Sequence, residues 1–273
     1  MATFNEISCQ SLLRLIGTPD CPQIIDVCID EDFALDPRII PSSMRVSHKD
    51  PDLISRLQGR GHIIVACQKG KKLSHGVAAR LRAHGISAEA VSGGVMEWAR
   101  NDFPMMPLPA LGVKTPHSTW VTRHRPKVDR VACSWLIKRF IDPHAEILFV
   151  PPSEVLLVAE KFGAHPFDVN DCQWTHRSGD QGDECTFDAL VHDFKLDFPA
   201  LHTMANIIRA ADTGRAGDEP QAEGLLAISL GLSRAYKDDL EQITHGMTVY
   251  DALFRWARDA GGETHASMQD DRG

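Results

Sequence analysis

The run Cys67-Gln68-Lys69-Gly70-Lys71-Lys72-Leu73-Ser74 joins a short apolar stretch, HIIVA, to a stretch of helical period, HGVAARLRAHG. A cysteine at a strand-to-helix turn has a defined chemistry. Loop N–H groups converge there, and the helix N-terminus behind them carries about half a positive charge. Both favour a thiolate over a thiol. Lys69, Lys71 and Lys72 add positive charge beside it. Such a loop can hold an anionic sulfur donor, attack it with Cys67 and cradle the persulfide that results. The donor would rest on Gln68, Lys69, Gly70, Lys71, Lys72, Leu73 and Ser74. The plainer alternative is a buried cysteine followed by a solvated basic turn.

Two more groups of residues could do chemistry. WVTRHRPKVDR, residues 120–130, gathers Arg123, His124, Arg125, Lys127 and Arg130 before and at the start of a helical pattern. Guanidinium forks beside a helix N-terminus suit a tetrahedral oxyanion or a phosphate, which makes Arg123, Arg125 and Arg130 the candidate anion ligands. Their alternative use is pairing with an acidic surface. Residues 168–188, DVNDCQWTHRSGDQGDECTFD, crowd carboxylates, His176, Cys172 and Cys185 into a Gly-containing stretch. His176 and Cys185 are the candidate metal ligands there, with Asp129 and Asp212 as additions from the ends of two helical patterns. Mixed nitrogen, sulfur and oxygen donors fit a transition metal better than Ca²⁺ or Mg²⁺, which take all-oxygen shells. The spacing matches no standard zinc motif, so a plain loop with helix-capping aspartates is the alternative. No organic cofactor is expected.

The elements that would position these groups follow from periodicity. QIIDV and HIIVA are compact, rich in Ile and Val, and bounded by turn residues, as buried parallel strands are. SCQSLLRLIG, DPDLISRLQ, LSHGVAARLRAHG and GVMEWARN have helical period, and glycine closes two of them. Alternation of this kind predicts an α/β domain with a parallel sheet flanked by helices over residues 1–106. Pro104 to Ser118 holds four prolines and reads as an extended linker, with 107–118 as its core. Beyond it, VDRVACSWLIKRF, LHTMANIIRAAD, AEGLLAISLGLSRAY and VYDALFRWARDA are helical in period. EILFVP and DALVHDF are the two stretches there that could be strands. A mainly α-helical domain over 119–260 is expected, then a disordered tail over 261–273.

Composition sets the outer bounds. The chain has 273 residues, 43% hydrophobic and 24% charged, as soluble globular proteins do. The first 110 residues carry 12 basic and 12 acidic side chains, so the whole net charge of −8 belongs to the remainder. Neither part has the basic balance of a general nucleic-acid binder. No apolar run approaches the roughly 20 residues of a membrane span. The start, MATFNEISCQ, has no signal-peptide pattern. Seven cysteines, an odd number, argue for a reducing cytoplasm over a disulfide framework. The oligomeric state is left open.

Residues 5–104 resemble the rhodanese family. Asp26 in IIDVC matches the early Asp after the first buried strand, and RIIPSSMRV around Pro41 matches the proline-containing segment. IIVACQKGKKLSHGVAARLRAHG matches the strand–Cys loop–helix unit, and SGGVMEW matches the closing Gly93, Gly94 and Trp98. The resemblance implies a thiosulfate or persulfide donor, a persulfide on Cys67 and a thiol acceptor. Cys28 stands where the family has Arg, and the interval from Cys67 to Gly85 is one residue longer than in common members. Long-loop members that act on phosphate or arsenate carry an Arg six residues after the Cys; Leu73 stands there in this chain. Residues 119–258 resemble the C-terminal domain of bacterial chromate-resistance (ChrB-type) proteins, through WVTRHRPKVDRVACSWLIKRFIDP, PFDV, THR…ECTFDAL, AADTGR and LLAISLGLSR…HGMTVYDAL. That resemblance implies a role in chromate resistance or its sensing, with chromate as a further ligand. Two functions are therefore expected as rivals: a sulfurtransferase, and a non-enzymatic oxyanion, metal or redox sensor.

Overall fold

The structure is a computed structural model that describes residues 5–179 and 182–263. The expected disordered tail lies outside the described residues from 264 onward.

The N-terminal part alternates strand and helix: β1 (Glu6–Ile7), α1 (Cys9–Leu15), β2 (Gln23–Asp26), α2 (Asp30–Leu35), β3 (Ser43–Arg45), α3 (Leu53–Leu57), β4 (Ile63–Ala66), α4 (Lys72–Ala83), β5 (Ala88–Val91) and α5 (Gly94–Arg100). The strands form one parallel sheet in the order β1-β5-β4-β2-β3. This is the α/β architecture expected from the sequence. β4 is the central strand and all four of its residues are buried, as a parallel strand covered on both faces requires. Side chains alternate between faces with period two. Ile25, Val27, Ile63, Val65 and Cys67 pack with Leu53 and Leu57 of α3 and with Val77, Ala78 and Leu81 of α4. Ile24, Ile64 and Ala66 pack on the opposite face, with Leu12 of α1 and Val95 and Trp98 of α5.

The C-terminal part opens with a small parallel sheet: β6 (Thr119–Arg123), α6 (Val128–Leu136), β7 (Glu146–Val150), α7 (Val155–Phe162) and β8 (His165–Pro166), in the order β7-β6-β8. A π-helical turn, Ile137–Ile141, continues α6. Then come an antiparallel hairpin of β9 (Arg177–Gly179) and β10 (Gly182–Glu184), and the helices α8 (Thr186–Asp193), α9 (Pro199–Asp212), α10 (Ala222–Ala235) and α11 (Asp239–Asp259). The domain is mainly helical, as expected, and EILFV is a strand, but β6, β8, β9 and β10 are strands that the periodicity did not mark.

Two expectations are corrected. DALVHDF is not a strand but most of α8, because Asp188 accepts from the Cys185 N–H and nucleates the first turn, and Phe187, Leu190, Val191 and Phe194 then share one buried face. The proline-rich segment is not a free extended linker. Met105, Met106, Leu108 and Val113 are buried in the same apolar cluster as Trp98 and Phe140, and Met106 bridges to Ile39. Proline sets its path, and its intervening apolar side chains anchor it. The Phe140 ring also lies so close to Gly17 that a side chain there would collide with it.

His165 sits against Trp120 and Trp174, and burial lowers its pKa below the ordinary 6.5. A depressed imidazole stays neutral in the folded state while the unfolded chain takes up a proton. Stability should therefore fall as pH drops below about 6.5. His165→Gln should flatten that acid limb in urea unfolding between pH 7 and 5. An unchanged limb would place the acid sensitivity elsewhere.

Candidate functional site

Cys67 follows directly on β4, so the most rigid strand of the sheet sets its position. It is 5% exposed, and its thiol donates to Ser74 Oγ at 3.2 Å. The Cys67 and Gln68 carbonyls accept from the N–H groups of Val95 and Met96, 3.1 and 2.9 Å away, so α5 holds the first peptides of the loop. Gly70, Gly93 and Gly94 all have positive φ. A side chain at Gly94 would strike the Cys67 carbonyl and the Gly70 amide. That close approach explains the glycine pair before Trp98. The amides of Lys72, Leu73 and Ser74 open α4 and lack intrahelical acceptors, so they can serve a bound anion. Lys69, Lys71 and Lys72 are exposed, Gln68 and Leu73 partly buried, and Gly70 and Ser74 buried. Buried Asp26 accepts from the Cys28 N–H at 2.9 Å and ties the neighbouring strand end; burial raises its pKa.

The second site lies in the C-terminal part, above the C-terminal ends of β6 and β8. Arg123 ends β6, Asp168 follows β8, and Pro152 follows β7. The chain leaves β6 for β7 on one side and then crosses to β8 on the other. Parallel sheets bind ligands at such a switch point, outside the strand ends. A cavity of about 480 Å³ opens there, lined among others by Arg123, Lys127, Arg130, Asp168, His176 and Asp212. Asp129, Asp212 and His176 offer ligand atoms all within 4.8 Å of one another. His176 Nε2 stands 3.3 Å from Asp212 Oδ2, 3.4 Å from Asp129 Oδ2 and 3.6 Å from Asp168 Oδ1. The neighbouring carboxylates of Asp129 and then Asp212 raise its pKa to about 10, against the opposing effect of burial. Asp129 is 1% exposed and also accepts from the Thr186 and Phe187 N–H groups at the start of α8.

The structure thus brings together Arg123, Arg130, Asp129, His176 and Asp212, and excludes two other candidates. Cys185 is 0% exposed, and its sulfur is committed to capping α8. It lies outside the ligand group. Arg125 points to α10 and α11, where it donates to the Ser233, Tyr236 and Lys237 carbonyls and so staples a turn. Backbone oxygens take the donors an oxyanion would need. Asp168 and Lys127 also line the cavity; the sequence put both in its polar stretches but not among the candidate ligands. Asp168 takes Arg123 at 2.9 Å and Arg130 at 3.5 Å. Its signal was PFDV, an Asp just past a short apolar run, where strand ends carry ligands.

A Cys-bearing α/β layer with this sheet order and loop defines a rhodanese-like domain, followed by a mainly helical second domain with a polar cavity at the C-terminal ends of its parallel strands. The family model "ChrB, C-terminal domain" matches residues 120–257, and the chain belongs to that family. The protein ChrB of Cupriavidus metallidurans is 32% identical over 141 residues, 50% of this chain and 39% of that relative. The match therefore spans well under two thirds of the relative's length. Among solved structures, a rhodanese-like domain protein from Staphylococcus aureus is 27% identical over 35% of this chain and 91% of its own, with a TM-score of 0.32. A thiosulfate sulfurtransferase from Pseudomonas aeruginosa is 19% identical over 38% of this chain and 19% of its own, also at 0.32. The sheet order and the Cys67 loop, rather than these scores, define the N-terminal fold. No helix among the described residues is long and apolar enough to cross a membrane.

Proposed function

We propose that the chain is a sulfurtransferase that carries sulfane sulfur on Cys67 and works in chromate or sulfur-oxyanion stress. The observation that carries this reading is the Cys67 loop. It ends the central strand, is held from below by α5 and stands at the open first turn of α4. With thiosulfate as donor, the Cys67 thiolate attacks the outer sulfur. A new S–S bond forms, the old one breaks, and sulfite leaves with its electron pair. A thiol or cyanide acceptor then takes the outer sulfur and the Cys67 thiolate returns. The reducing compartment that keeps a free thiol suits a cytoplasmic setting. Chromate enters as a tetrahedral dianion of the same kind as sulfate, implied by the resemblance of the second domain to chromate-resistance (ChrB-type) proteins. Thiosulfate:cyanide turnover by the full chain tests the proposal; no turnover with any sulfane donor would refute it.

Lys71 and Lys72 are exposed and packed against no apolar face. Changing both to Ala should raise the KM for thiosulfate by about tenfold, through lost attraction of the dianion. Unfolding should stay within the ~0.5 kcal/mol typical of surface sites. An unaltered KM would mean that the amides alone bind the donor.

A second reading is favoured by the Asp129–His176–Asp212 group: a sensor in which Cys67 is a redox switch and the second domain binds the ligand. Turnover distinguishes the two, because a sensor loads sulfur or oxidises without multiple cycles.

A further inference from the structure

We infer that the cavity at the C-terminal ends of the β7-β6-β8 strands binds a first-row divalent cation through Asp129, Asp212 and His176, and that this cation holds a tetrahedral oxyanion against Lys127 and Arg123. Three carboxylates face one imidazole nitrogen, which has at most one proton to donate. The separations of 3.3, 3.4 and 3.6 Å exceed good N–H···O geometry. Asp129 Oδ2 also accepts from the Thr186 N–H and Asp168 Oδ1 from the Thr186 hydroxyl, so Asp212 Oδ2 is the oxygen that depends on the imidazole, and an ion between Asp129, Asp212 and His176 would hold it.

Charge assigns the partners. Asp168 is taken by Arg123 and Arg130 and by the Thr186 hydroxyl. Asp129 and Asp212 bear two negative charges within ion-pair reach of His176, and a divalent ion would balance them in place of the imidazole's proton. Asp129 is pinned by two α8 amides, so it supplies a fixed ligand. Asp212, at the last residue of α9, supplies the more exposed one. One imidazole nitrogen with carboxylate oxygens suits Mn²⁺, Fe²⁺, Co²⁺ or Zn²⁺ better than Ca²⁺ or Mg²⁺. A set of three protein ligands leaves coordination positions open toward the cavity. Lys127 lines that cavity without an ion-pair partner among the described residues, and Arg123 is only partly used by Asp168. Both are placed to neutralise an anion that bridges from the metal. The competing use of these groups is purely structural: Asp129 caps α8, and His176 is held by ion pairs.

Equilibrium dialysis of the metal-free full chain against Mn²⁺ or Zn²⁺ decides between them. About one equivalent of ion should bind, with the affinity lowered by about tenfold or more in His176→Ala and in Asp212→Asn. Cys185→Ser should bind as the unaltered chain does. Circular dichroism of the metal-free variants checks that each is folded. Sulfate, as a probe of the oxyanion, should bind more tightly to the metal-loaded protein than to the metal-free one. Lys127→Ala should lose that gain while keeping its metal. Less than about one-tenth of an equivalent of either ion would overturn the inference. So would undiminished affinity in both His176→Ala and Asp212→Asn. Sulfate binding indifferent to the metal would overturn the anion half alone.

Discussion

Cys67→Ser should abolish sulfur loading. After thiosulfate treatment, mass spectrometry should find one added sulfur atom on the unaltered chain and none on the variant. The expectation rests on the place of Cys67 at the end of β4, before the open first turn of α4. The nucleophile is a thiolate. Burial raises the pKa of six cysteines: Cys9 and Cys21 to about 11, and Cys28, Cys133, Cys172 and Cys185 also upward. Those six are held as inert thiols at neutral pH. Cys67 alone lies in the loop that ends β4, with the α4 amides before it. Serine keeps the size and the contact with Ser74, so the fold should survive. Equal labelling of the variant would move the sulfur to another cysteine and refute the role of the loop.

Gly94→Ala should be the most damaging small substitution in the first domain. Its φ of +64° is one that L side chains rarely adopt, and the added carbon would meet the Cys67 carbonyl and the Gly70 amide. Backbone atoms of a buried loop cannot rotate away as a side-chain end can. Strain and overpacking together should cost about 2–5 kcal/mol, and sulfur transfer should fall with the displaced loop. Gly85→Ala is the control. Its φ is +77°, but nothing lies within 4 Å of the added carbon. It should cost only the strain, about 1–2 kcal/mol, and leave turnover intact. Urea unfolding and turnover of both variants check this. Equal losses would mean that the close approach at Gly94 has no weight of its own.

The first domain was legible in the sequence because its signals are local. Buried strands announce themselves as runs of Ile and Val, helices by period and closing glycine, and the reactive loop by one cysteine between them. Each needs only neighbours along the chain. The order of the sheet and the placement of the Gly70–Gly94 contact still depended on the fold, since they join residues far apart along the chain.

The second domain was legible as helices and as a pool of candidate ligands, and no further. Asp129, His176 and Asp212 come from the start of α6, the approach to β9 and the end of α9. Periodicity places each on its own element but carries no information about which three meet. Cys185 looked as good a ligand as His176 because both share one polar stretch. Tertiary structure separated them: α8 buried the sulfur as a cap and left the imidazole at a cavity wall. Arg125 and Arg123 are two positions apart, yet one serves backbone carbonyls and the other faces the cavity. Asp168 entered the site through strand order alone, because β8 lies beside β6 and so brings its end next to Arg123. Donor chemistry is a property of residue type, and the sequence alone determined it. Convergence of donors on one point is a property of long-range packing, which only the folded chain decides.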